Sequence, residues 1–318
     1  MRELELRDAS LRDVALWCDL YTEAQPRRPM DPVVERYEWE HPPKGWRFGR
    51  HLMLDDGRAV GVASWAHPEW ESISSRYASI AADIVPASET PESLTAALRR
   101  MEREVMGEGA SLARTNTNED DVARRALLVE LGYREDRLNR RWELDLVVGR
   151  ERILAMTGIT RPKMAAQGIR LLTVDQDRDP DNVRKIWRLS EEASEDIPST
   201  LPHVTESLED YVDWLGAPDM HADRVWIARD GEAIVGISVL AYPPVRGLVV
   251  TAWTATARSV RGTGVARALK CETLAQAIAL GVPRVRTGND GANAPILHLN
   301  ASMGYEPVTG RIDYLKDL

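Results

Sequence analysis

Apolar and polar residues alternate in Glu3-Leu4-Glu5-Leu6, which predicts a half-buried first strand. Asp8 or Ser10 then opens a helix to about Ala24. Residues 25–49, with five prolines, read as irregular. His51 to Trp65 reads as a hairpin turning at Asp55-Asp56-Gly57, and Tyr77 to Val85 as a further strand. Thr90 suits an N-cap and Pro91 the first helical position, so a helix is expected to about Met106. A strand at Ala110–Thr115, a helix at Asp121–Leu131 stopped by Gly132-Tyr133, and a strand at Trp142–Leu146 follow.

The same order then returns. Ile169–Thr173 matches the first strand, Asp181–Glu192 the first helix, and Val225–Leu240 the hairpin, now turning at Asp230-Gly231-Glu232. Leu248–Thr256 is rich in β-branched residues and Trp, a strand signature. Val265 to about Leu280 is a helix, apolar around most of its circumference and so buried. Arg284–Thr287 is a short strand, Gly288–Asn293 a turn, and Ala294–Met303 a helix closed by Gly304. Val60-Gly61 corresponds to Val235-Gly236 at an offset of 175 residues, and Leu131-Gly132-Tyr133 to Met303-Gly304-Tyr305 at 172. A long-period duplication accounts for this. It gives two domains, 1–148 and 169–318, with the basic, weakly periodic stretch 149–168 as linker.

Length agrees, since 318 residues exceed one average domain. The net charge of −9 lowers the odds of a nucleic-acid binder, which usually presents a basic face. Cys18 and Cys271 are isolated, with neither metal spacing nor a disulfide framework, so no metal is expected. The N-terminus carries charges and no apolar core, and no apolar run approaches a membrane span. These features point to a cytoplasmic protein without a membrane or nucleic-acid partner, monomeric or homodimeric.

One turn separates the halves chemically. Between the strand ending at Thr256 and the helix starting at Val265 stand Arg258, Arg261, Gly262, Thr263 and Gly264. Glycines let another molecule approach the backbone. The free N–H groups of the first helical turn then favour an anion, above all a phosphate. Arg267 and Lys270 share a helix face just beyond. A Rossmann fingerprint fits poorly, because Arg267 stands where a small residue is needed. An ordinary strand–helix turn that contains glycines is the plain alternative. The first half has Ser88, Glu89, Pro91 and Glu92 at this turn, whose carboxylates would repel a diphosphate.

The spacing Arg261-x-x-Gly264-x-Ala266 after a strand resembles the acyl-CoA pyrophosphate loop of the GNAT acyltransferase superfamily. The strand, asparagine, helix and Gly-Tyr that follow resemble the second half of the GNAT core. The resemblance covers residues 225–318 with specific motifs and 170–224 more loosely. It implies an α/β (α+β) chain of two GNAT-like domains in tandem, each a mixed, largely antiparallel sheet flanked by helices.

It further implies acetyl-CoA as cosubstrate. Thr254, Ala255 and Thr256 would grip pantetheine and the thioester through their backbone, and Arg258 to Ala266, with Val265, would hold the pyrophosphate. Asn289 and Asn293 become polar contacts to CoA, or plain turn and cap residues. The family often places a tyrosine acid on the last helix, seven residues after an asparagine. Counted from Asn293, that position is Asn300, which cannot donate a proton as an acid does; it stands with Asp196 as a candidate catalytic-site residue, as a polar contact to CoA or as a turn and cap residue. His298 should point elsewhere on the helix. On the acceptor side the run Glu191–Pro198, with His203, offers carboxylates for an ammonium group. Asp196 is the favoured member, beside Pro198; a solvated acidic helix end is the alternative.

The sequence thus reads as an N-acyltransferase that moves an acetyl or short acyl group to a small-molecule primary amine in the second half. A non-catalytic acyl-CoA sensor and a mycothiol-synthase-like acetyltransferase are the alternatives. Aminoacyl transfer from tRNA, which also uses paired GNAT folds, is disfavoured by the acidic charge.

Overall fold

A computed structural model describes residues 5–318. The first strand, β1, spans Glu5–Asp8; Glu3 and Leu4 of the expected strand lie outside the described residues. A short 3₁₀ turn leads into α1 (Val14–Ala24), and α2 covers Pro32–Glu40. This second helix corrects the irregular reading of residues 25–49. The Asp31 side chain accepts from the N–H groups of Val33 and Val34, and Pro32 sits at the start, where a missing N–H costs nothing. Hairpin β2 (Trp46–Asp55) and β3 (Arg58–Pro68) turns at Asp56-Gly57. Then come β4 (Tyr77–Ile84), α3 (Pro91–Gly107), β5 (Leu112–Asn118), α4 (Val122–Glu130) and β6 (Arg134–Asp145).

Residues 149–168, read as the join between halves, hold a helix, α5 (Arg150–Ala166). Its buried residues Ile153, Thr157, Thr160 and Met164 recur at helical spacing. The second half supplies β7 (Ile169–Thr173), α6 (Asn182–Ser194), α7 (Leu208–Leu215), β8 (Val225–Asp230), β9 (Ala233–Ala241), β10 (Val250–Thr256), α8 (Val265–Ala279), β11 (Arg284–Asp290), α9 (Ala294–Met303) and β12 (Glu306–Asp317). Helix α7 has no counterpart in the sequence reading. Gly288, Asn289 and Asp290, expected in a turn, extend β11 because each pairs with β6.

Among the described residues twelve strands form one sheet, ordered β1-β2-β3-β4-β5-β12-β6-β11-β10-β9-β8-β7. The halves exchange their last strands. β12 pairs antiparallel with β5, and β6 pairs antiparallel with β11; the two lie side by side at the centre. Gly132 (φ 89°) and Gly304 (φ 88°) end α4 and α9 in left-handed conformations and launch these strands. β6 follows Tyr133, which lies in the first core, and brings Leu144 into the second. β12 follows Tyr305 in the second core and brings Ile312 and Tyr314 into the first. Each core is therefore completed by the other half, and the sheet runs on across the join between them.

Repeated Val-Gly pairs have a steric cause. A Cβ at Gly236 would stand 2.7 Å from Leu269 and 2.9 Å from Val265, so glycine lets α8 lie flat on β9. Helices α6 and α7 cover one face of the second half, with Ile186, Leu189 and Tyr211 on Ile227, Ile237 and Val239. Helix α8 covers the other through Val265, Ala268 and Leu269.

Candidate acyl-CoA site

Parallel strands β10 and β11 meet at a single residue pair, Val250–Arg286, and then part. On its other side β10 stays paired with β9 as far as Thr256, with an irregularity between Thr251 and Trp253. Beyond Val250, then, the β10 edge facing β11 has no strand partner among the described residues. An extended ligand can add to such an edge as a strand would. Thr254, Ala255 and Thr256 lie along this stretch. The Thr254 hydroxyl is 3.1 Å from that of Ser238 on β9, and Ala255 is buried.

The chain leaves Thr256 through a 3₁₀ turn, Arg258–Val260, and enters α8 at Gly264. Gly262 (φ 78°) and Gly264 (φ 104°) take left-handed conformations that disfavour any side chain. Thr263 closes the turn by donating from its hydroxyl to the Val260 carbonyl at 2.7 Å. Amide N–H groups of Gly262, Gly264, Val265, Ala266 and Arg267 have no partner among the described residues. They form an open, positively polarised cradle. A Cβ on Gly264 would lie 3.1 Å from Lys163 Nζ, so α5 brings a lysine to the same loop. Sequence reasoning missed Lys163; the basic character of 149–168 was its only signal.

Asp196 sits elsewhere than the acceptor-side reading placed it. Its carboxylate accepts two hydrogen bonds from Arg258, both at 2.9 Å, and pairs with Arg261 at 2.7 Å. Hydrogen bonding from Arg258, then Arg261, holds its carboxyl down at about 2. A carboxylate so stabilised is a poor base. Glu195 pairs with Arg258 at 3.3 Å, and the Arg258 amide donates to Glu192 at 3.0 Å. The end of α6 thus supplies counter-ions to the loop.

A different carboxyl on that face has the properties of a base. Glu206, between α6 and α7, is half-buried, and its carboxyl is pushed up to about 7 by burial and by Glu191 and Asp210. Glu191 faces His203 at 3.4 Å, and Trp187 donates to the Glu206 carbonyl at 2.9 Å. Nearby, Trp253 of β10 donates to Ser190 (3.1 Å), whose hydroxyl lies 2.9 Å from that of Tyr211. No local motif marks Glu206, because its burial and its approach to Glu191 arise only when α6 and α7 pack together.

Asn300 is wholly buried and donates to Asn289 Oδ1 at 2.8 Å, tying α9 to β11; its own Oδ1 has no partner among the described residues. Asn293 caps α9 by position, without a side-chain hydrogen bond. His298 is exposed on α9.

The matching turn in the first half is closed. Thr90 Oγ1 accepts from the Ser93 amide at 3.1 Å while Ser93 Oγ accepts from the Thr90 amide at 2.9 Å. Pro91 has no N–H, and the Leu94 amide already donates to the Thr90 carbonyl. Of the donors that α8 leaves open at Val265, Ala266 and Arg267, α3 lacks the first at Pro91 and uses the third at Ser93, and Glu92 sets a carboxylate beside the second.

No protein-family model matches this sequence, and no curated protein matches it. Its fold has relatives among solved structures. A tandem GNAT protein from the clavulanic acid biosynthesis pathway superposes with a TM-score of 0.76 at 16% identity, over 99% of this chain and 98% of that one. A GCN5-related N-acetyltransferase from Sphaerobacter thermophilus gives 0.68 at 17%, over 100% and 96%. A putative acetyltransferase from Pyrococcus horikoshii gives 0.59 at 12%, over 100% and 90%. With its splayed parallel strands, its glycine turn into α8 and its doubled element order, the chain has the tandem GNAT fold.

Proposed function

We propose that the chain is an N-acyltransferase that moves an acetyl or short acyl group from acyl-CoA to a small-molecule primary amine, with the reaction in the second half, 169–318. The carrying observation is the open amide cradle from Gly262 to Arg267 beside the unpaired edge of β10. The first half, 1–148, keeps the fold and lends β6 to the second; the linker 149–168 lends Lys163.

In this reading the pyrophosphate accepts from the cradle, with Lys163, Arg258 and Arg261 adding charge. The pantetheine arm lies along Thr254–Thr256. Glu206, whose carboxyl is pushed up to about 7, takes a proton from the incoming ammonium group. The neutral amine attacks the thioester carbonyl, a tetrahedral oxyanion forms, and its collapse breaks the C–S bond. The attacking nitrogen sheds its extra proton through water to the departing thiolate, since Asn300 supplies no acid. That gap favours the second reading, a non-catalytic acyl-CoA sensor.

Thiol release from acetyl-CoA across a panel of primary amines tests the proposal. Amine-dependent release supports transfer. Tight acetyl-CoA binding with no release on any amine supports the sensor, and no binding at all overturns both.

A further inference from the structure

The first half contains a cavity that the acyl-CoA site does not use. It opens where β4 and β5, paired from Tyr77 to Ser79, part from each other. Helices α1 and α2 roof it, and its volume is about 390 Å³, within the range of small-molecule clefts. Trp17, Tyr21, Phe48 and Trp65 give it an aromatic wall.

Most of its charged groups are already matched. Glu35 accepts from the Trp39 indole at 2.6 Å, Asp83 from Gln25 at 2.8 Å, and Arg114 donates to Asp313 at 2.9 Å. Three polar groups are not. Arg50 has no hydrogen-bonding or ion-pair partner among the described residues; its guanidinium stacks only on rings, 4.6 Å from Trp39 and 4.9 Å from Phe48. Glu38 likewise has no contacting partner among them. Trp17 is 5% exposed, and its indole N–H is unpaired. Trp17 packs edge-on against Trp39 at 5.3 Å, so the orphan donor and Arg50 flank one ring.

We propose that this cavity binds a small zwitterion, an α-amino acid with an apolar or aromatic side chain. Its carboxylate accepts from Arg50 and from the Trp17 indole. Its ammonium group donates to Glu38, and its side chain fills the aromatic wall. An unpaired guanidinium in a recess is costly, and a ligand carboxylate relieves it, while Glu38 at the rim is placed to accept from an ammonium group. Burial lowers the Arg50 guanidinium from its usual range. Glu38 keeps contact with solvent, which gives a ligand its way in. A metal ion fits poorly, since only one carboxylate is free. CoA fits poorly because the α3 terminus is closed.

The test is calorimetry on the full chain at pH 8, without CoA, using L-phenylalanine, phenethylamine and 3-phenylpropionate. L-Phenylalanine should bind, and each analogue lacking one charge should bind roughly tenfold more weakly or worse. Arg50→Gln should bring L-phenylalanine down to the level of phenethylamine, and Glu38→Gln to that of 3-phenylpropionate. Trp17→Phe should weaken it several-fold. Comparing the three probes on the unaltered chain needs no variant to fold. Equal binding of all three overturns the proposal. So does failure of L-phenylalanine, L-leucine and L-tryptophan to bind at millimolar concentration, or unchanged binding in folded Arg50→Gln and Glu38→Gln. None of these outcomes bears on acyl transfer, which is read in the other half.

Discussion

Replacing Lys270 with methionine should make the protein more stable at pH 7. Lys270 lies on α8, 2% exposed, with no hydrogen-bonding or ion-pair partner among the described residues. Its Nζ stands 5.0 Å from the centre of the Tyr305 ring. Burial pulls its ammonium group from 10.5 down to about 8. Below pH 8 the folded chain therefore holds a charged amine out of water, at a cost of about 3 kcal/mol. The position 172 residues earlier is Leu98, also fully buried, so the site in the fold accepts an apolar chain. Methionine keeps the length and removes the charge, and should gain about 2–3 kcal/mol at pH 7 once a partial loss of the ring contact is allowed. The pH dependence has a definite sign. Between pH 8 and 10.5 the unfolded lysine binds its proton and the folded one does not, so parent stability rises with pH. Urea unfolding at pH 7 and pH 10 measures both effects. The advantage of the variant should shrink as pH rises through this window. A less stable variant at pH 7, or an advantage that does not change with pH, would refute the reasoning.

Gly264→Glu should abolish acetyl-CoA binding in calorimetry while the chain still folds; a left-handed non-glycine residue costs about 1–2 kcal/mol, which a small drop in melting temperature would show. Asp196→Asn should tighten CoA binding several-fold at low salt and less at high salt, because it frees Arg258 and Arg261; a large fall in turnover with affinity unchanged would instead return Asp196 to the acceptor side. Titration should find one CoA per chain, since Thr90, Ser93 and Pro91 close the matching turn, and two equivalents of similar affinity would contradict this. Arg229 is 2% exposed and bonds Asp177 and Asp179 at 2.6 and 2.7 Å, so Arg229→Met should cost about 3 kcal/mol in chemical unfolding by leaving the Asp177 carboxylate unpaired, while Asp179 keeps Lys185.

The sequence by itself determined what local chemistry controls. Gly262 and Gly264 could be read as an anion turn because backbone conformation at a turn depends on a few adjacent residues. Thr90-Pro91, Gly132 and Gly304 marked helix ends for the same reason, and the doubled order of elements followed from periodicity. Helix α2 was equally local, signalled by Asp31-Pro32, yet the many prolines around it read as irregular chain. Only the tertiary structure decided the rest. Either half could have kept its own last strand, since β6 and β12 offer the same kind of edge to β5 and β11; packing of Leu144, Ile312 and Tyr314 in opposite cores fixes the exchange. Asp196 meets Arg258 and Arg261, Lys163 reaches Gly264, and Glu206 gains its proton affinity only when separate segments converge. The physical reason is range. A turn or a cap is settled by bonds within a few residues, whereas an ion pair, a strand partner or a desolvated carboxyl takes its energy from neighbours that the chain brings together only on folding.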